Sequence, residues 1–110
     1  MNTTSGKNLY EMMEFPKEGI FSKVITKGEN SNYTLMCLAA GTDISEHTST
    51  MEGSVTVLKG KGTFILNSES IKMEPGVFIY MKENAPHALN ADEDLAFLLS
   101  LYGKKKSIER

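Results

Sequence analysis

From Ile20 to Gly103 the chain is a series of short apolar runs cut by turn residues. The run "IFSKVITKG" alternates apolar and polar positions and stops at Gly28, whereas "NYTLMCLAAG" is nearly continuous up to Gly41. "SVTVLKGKGTFILN" reads as two runs joined through Gly60 and Gly62, and "SIKMEPG" leads into "VFIYM". "HALNA" follows Pro86, and "DLAFLLSLYG" ends at Gly103. This rhythm predicts about seven or eight short strands at all-β spacing, with no helical period after residue 20. Glu74-Pro75-Gly76 suits a type II turn, with proline and glycine at its two central positions. Strands of this kind must bury two sheet faces or close into a barrel, because an open sheet would leave an apolar face wet. Residues 1–19 are polar apart from Leu9, Tyr10, Met12, Met13 and Phe15, a cluster that is either one helical turn or an irregular arm before Pro16. The expected organisation is an N-terminal arm at 1–19, an all-β barrel or sandwich at 20–103 and a basic C-terminal tail at 104–110.

A chain of 110 residues suits one domain around one core. The net charge of −2 provides no basic field for phosphate backbones, so nucleic acid is not an expected partner. Lys104, Lys105 and Lys106 are read as a solvated tail. Cys37 is the single cysteine, which rules out an intrachain disulfide and fits a reducing compartment. The N-terminus lacks the basic and apolar regions of a secretory signal, and no apolar run approaches the roughly 20 residues of a membrane span. A cytoplasmic protein without a membrane partner is expected.

The two histidines stand out. His47 lies in the polar stretch "GTDISEHTSTMEG", and His87 lies between Pro86 and "ALNA". Each follows a glycine turn at the edge of a run. Alternate residues of barrel strands point inward, so histidines on neighbouring strands could face each other across the interior.

At these residues the chain resembles a small single-domain cupin, a double-stranded β-helix or jelly-roll barrel. In the first cupin motif a glycine is followed by a histidine, a second histidine two places on, a glutamate and a closing glycine. Gly41, His47 and Gly60 occupy the first, second and last of these places. In the second motif Gly76 and His87 match, within "PHALN". The resemblance covers roughly residues 20–102. The His47-Thr48-Ser49 loop resembles that of a subgroup of largely unassigned function. The departures are specific. Ser49 stands at the second histidine of the first motif, and Gly53 stands at its glutamate. Lys82 and Asn84 replace the proline and glycine of the second motif, and Asn90 falls one place early.

The resemblance implies that His47 and His87 are ligands to one metal. Catalytic zinc usually has three protein ligands, and non-haem iron usually has two histidines and a carboxylate. Glu52 is the candidate to complete the set, giving His47, His87 and Glu52 as a site for Fe, Mn, Ni or Zn. If Gly53 begins a strand, period-two alternation turns Glu52 to the opposite face; a bulge there could bring it inward. Ser49 and Tyr80 are expected to contribute hydroxyls to a ligand pocket beside the two histidines. Met36, Met51, Met73 and Met81 are read as core or pocket wall. Phe64, Phe78, Tyr80 and Phe97 are read as barrel packing, and Cys37 as a buried small hydrophobe. Two functional readings follow. One is a cupin that binds a small molecule with a reduced or absent metal site. The other is a metal-dependent enzyme of dioxygenase, isomerase or decarboxylase type acting on a small organic acid or diketone. The resemblance also implies a homodimer, with the arm as a candidate contact.

Overall fold

The computed structural model describes residues 6–103. Among these residues nine antiparallel strands follow a single helical turn, α1 (Leu9–Met12). They are β1 (Ile20–Lys27), β2 (Ser31–Leu38), β3 (Asp43–His47), β4 (Glu52–Lys59), β5 (Gly62–Leu66), β6 (Glu69–Met73), β7 (Phe78–Met81), β8 (His87–Ala91) and β9 (Leu95–Tyr102). One sheet has the order β1-β2-β9-β4-β7 and the other the order β3-β8-β5-β6. The two sheets face each other as a jelly-roll barrel. The strand missed by the apolar pattern is β3. Its residues Asp43-Ile44-Ser45-Glu46-His47 carry little hydrophobic signal, and only Ile44 packs against the core. Pairing with β8 makes it a strand despite its polar composition.

The inward residues follow the alternation. Val55 and Val57 of β4, Phe97 of β9, Ile79 and Met81 of β7, Phe64 of β5 and Leu89 of β8 form one buried cluster between the sheets. Each such side chain contributes roughly 1.5–3 kcal/mol when fully buried. The outward set is different. Phe78 and Tyr80, expected to pack inside, are 63% and 50% exposed because Ile79 and Met81 take the inward positions of β7. The expectation of barrel packing at these two aromatics is therefore corrected.

A second buried cluster, Leu35, Cys37 and Ala96, lies on the outer face of the five-stranded sheet. Met12, Met13 and Phe15 of the arm pack over it. The arm is held there by the Tyr10 hydroxyl, which donates to the Leu58 carbonyl at 3.2 Å. Asn8 caps α1, its side chain accepting from the Tyr10 amide at 3.0 Å. The arm thus covers an apolar face of its own barrel.

The Glu74-Pro75-Gly76 turn forms as anticipated. Gly76 has φ of 96°, and the Val77 amide donates to the Glu74 carbonyl at 3.0 Å. The basic stretch at 104–110 lies outside the described residues. Among the described residues no helix is long and apolar enough to cross a membrane.

Candidate functional site

The two histidines are brought together by a bulge. Ile44 of β3 pairs with Leu89 of β8, and His47 pairs with His87, so three steps on β3 match two on β8. Without the extra residue, strict alternation would place His47 on the face opposite Ile44. The bulge restores its phase and aims its ring at the same interior as His87. The ring centroids are 4.2 Å apart, with their planes at 62°. His47 sits at the exposed rim, whereas His87 is 9% exposed. The Phe64 ring lies parallel to that of His87 at 5.9 Å.

Both rings are tied in the same way. Nδ1 of His47 bonds the Ser45 carbonyl at 2.8 Å, and Nδ1 of His87 bonds the Ala85 carbonyl at 2.9 Å. A carbonyl oxygen only accepts, so each ring carries a proton on Nδ1 and donates it. In the neutral form each Nε2 is left with a free lone pair. The rings border a cavity of about 230 Å³, lined otherwise by apolar side chains that include Met36, Val55, Phe64, Met81, Leu89 and Phe97. Among the described residues no carboxylate, hydroxyl or amide side chain borders it.

The other candidate residues lie elsewhere. Glu52 begins β4 and points outward, and Tyr80 of β7 lies on the same outer face. The Tyr80 hydroxyl donates to Glu52 Oε1 at 2.5 Å. This bond to a carboxylate pushes the Tyr80 ionisation above the ordinary tyrosine range, with smaller effects of desolvation and of the Glu52 and Glu83 charges. Both residues border an outer cleft with Lys82, Glu83 and Tyr102. Placing Glu52 with the histidines and Tyr80 in their pocket is therefore corrected: period-two alternation from Gly53 turns both away. Ser49 also lies off the cavity. Its Oγ accepts from the Met51 amide at 3.1 Å, and its carbonyl accepts from the Asn84 amide at 2.7 Å. It ties the loop before β4 to the loop before β8 and so frames the mouth.

Gly53 holds the inward position at the start of β4, paired with Met81 and Leu101. A Cβ added there would lie 2.7 Å from both Leu101 Cδ2 and the Ser100 carbonyl oxygen. The space that a carboxylate side chain would cross is taken up by the partner strand. Among the described residues no group of three or more His, Cys, Asp or Glu is placed to hold a metal. Two imidazoles alone fall short of the three protein donors of a catalytic zinc or a non-haem iron site, so the residues present do not complete such a centre.

The pocket wall was partly hidden in the sequence. Leu89 shares the face of His87 by period two, and Val55 shares that of Gly53, a phase that the strand pattern carries. Phe64 beside His87 depends on the pairing of β5 with β8, which no local pattern records.

The molecule is a small jelly-roll barrel that carries a histidine on each of two adjacent strands, β3 and β8, beside its cavity. Residues 34–102 match the sequence profile of the cupin domain, and the chain belongs to that family. No curated protein sequence matches it. Among solved structures, a conserved protein of unknown function from Streptococcus pyogenes superposes with a TM-score of 0.84 at 23% identity, over 96% of this chain and 93% of that one. An RmlC-like cupin from Desulfovibrio desulfuricans gives 0.81 at 21% identity, over 91% and 97%. A salicylate 1,2-dioxygenase from Pseudaminobacter salicylatoxidans gives 0.70 at 20% identity, over 76% of this chain and 26% of that one. At these identities the likeness is one of fold.

Proposed function

We propose that this cupin binds a small, mainly apolar molecule in the barrel cavity, with His47 and His87 receiving its polar group. The observation that carries this reading is the pairing of two imidazoles, each hydrogen-bonded through Nδ1, at the edge of an otherwise apolar cavity. Ligand sites combine apolar walls with a few fixed polar groups in this way. The cavity, at about 230 Å³, is smaller than the roughly 300–1,000 Å³ typical of drug-sized ligands, which favours a single ring or a short chain.

The test is methyl NMR on protein with labelled methionines, titrated with single-ring and short-chain alcohols, phenols and acids. Binders should shift the methyl signals of Met36 and Met81, which border the cavity, and leave those of Met12 and Met13 under the arm unmoved. If no compound moves Met36 or Met81, the reading fails.

A second reading, a metal-dependent enzyme, draws support from the bonds that fix both Nδ1 atoms, since metal-bound imidazoles are commonly oriented through a carbonyl on the other nitrogen, but it requires a further ligand that the described residues do not supply. Elemental analysis of protein purified without a metal-affinity tag, repeated on His87→Ala, decides between them. Near-stoichiometric Fe, Mn, Ni or Zn that is lost in the variant would favour the enzyme.

A further inference from the structure

We infer that the cavity selects ligands whose polar head is a hydrogen-bond donor, of phenol or enol type, over ligands of the same shape whose head only accepts or is apolar. This rests on the reading of the barrel cavity as a small-molecule site.

The reason is the direction of the hydrogen bonds at the two rings. Both Nδ1 protons are already committed, to the Ser45 and Ala85 carbonyls at 2.8 and 2.9 Å. With both imidazoles neutral, the remaining ring nitrogens are acceptors only. The other cavity walls, among them Met36, Ile44, Val55, Phe64 and Leu99, bring no hydrogen-bond donor. The two rings, 4.2 Å apart, therefore present acceptors with no donor among the described residues to satisfy them inside the barrel. An apolar ligand that entered would strip water from a ring nitrogen and return nothing. A ligand ending in a carbonyl or ether would set lone pair against lone pair. A hydroxyl on an aromatic or enolic carbon restores the lost hydrogen bond, and its apolar body fills the rest of the space. His87 is the more committed acceptor, because the residue is 9% exposed and its ring is flanked by Phe64. His47 at the rim keeps access to water.

The probe pair is p-cresol and p-xylene, which differ by a hydroxyl in place of a methyl group of similar size. Both are titrated at one fixed pH, about 8. The methyl signals of Met36 and Met81 report affinity, and long-range nitrogen–proton correlations of the histidine rings report the state of each Nε2. The expected result is that p-cresol binds on the order of tenfold more tightly, equivalent to about 1.4 kcal/mol. The His87 Nε2 resonance should move with p-cresol and stay still with p-xylene. In His87→Phe the preference should vanish while p-xylene still binds. If that variant does not fold, the Nε2 resonance of the wild-type protein carries the test alone. Equal affinity for the two probes, or p-cresol binding without a change at Nε2, overturns the donor rule and leaves the binding reading standing. If neither probe binds, and no compound of the wider titration moves Met36 or Met81, the binding reading itself is overturned.

Discussion

Alanine at Gly53 tests whether the inward start of β4 is closed to a side chain. The added Cβ would lie 2.7 Å from the Ser100 carbonyl oxygen and 2.7 Å from Leu101 Cδ2, where ordinary contacts fall at 3.4–4 Å. Leu101 can rotate away. The Ser100 carbonyl cannot, because β9 is paired with β2 on one side and β4 on the other. Overpacking of this kind costs about 1–3 kcal/mol. The reduced freedom of the unfolded chain returns about 0.4–1 kcal/mol. The net expectation is a loss of about 1–2 kcal/mol, or a fall of about 5–15 °C in Tm for a domain of this size. Urea unfolding followed by circular dichroism measures it, with the midpoint lowered and the slope unchanged. Leu101→Ala in the Gly53→Ala background should recover only part of the loss, since the carbonyl clash remains. Gly53→Glu should cost more, because the rest of its side chain follows the Cβ into space held by Leu101 and Met81. A Gly53→Ala protein as stable as wild type, or more stable, would refute the steric argument.

Phe64→Ala, which removes a fully buried ring beside His87, should cost about 3–5 kcal/mol by the same unfolding assay and disorder the His87 ring in its nitrogen spectrum. Tyr80 should ionise above the ordinary tyrosine range, as the Tyr80→Phe difference in ultraviolet titration would read, and Glu52→Gln should bring it back down. The sign follows from the raised folded value. The bond's contribution is fully present below the usual tyrosine range and fades as pH rises through the raised one. The Cys37 thiol is pushed up by burial, opposed by a backbone hydrogen bond and helped by the nearby Glu14 charge. It should resist a thiol reagent in the native protein at neutral pH and react at once in denaturant; rapid native reaction would show that the arm does not seal the sheet.

The barrel was legible because its alternation and turn chemistry agree. Glu74-Pro75-Gly76 and the apolar phases of β4 and β9 state the same fold twice. The polar strand β3 was not legible, because Asp43, Ser45 and Glu46 follow edge pairing and not burial. His87 could be placed from its spacing to Gly76. The position of His47 depends on a bulge between Ile44 and His47, and an extra residue in a polar strand leaves no mark in hydrophobic periodicity. For Glu52 the alternation rule already favoured the outward face, and the hydrogen bond to Tyr80 gives the carboxylate its partner there. Tyr80 itself was misread because an aromatic in a strand signals packing without saying on which face.

The place of β9 in the large sheet bears on how the molecule is made. It is synthesised after the other strands described, yet it lies between β2 and β4 and joins the β1–β2 hairpin to the β4–β7 pair. Without Leu95 to Tyr102 that sheet has no strand to join β2 to β4. The barrel is therefore expected to close after translation of this strand and not progressively, with folding limited by the insertion of a central strand over long sequence separation. Nascent chains arrested before Leu95 should remain open to protease, and those released past Tyr102 should become resistant in one step.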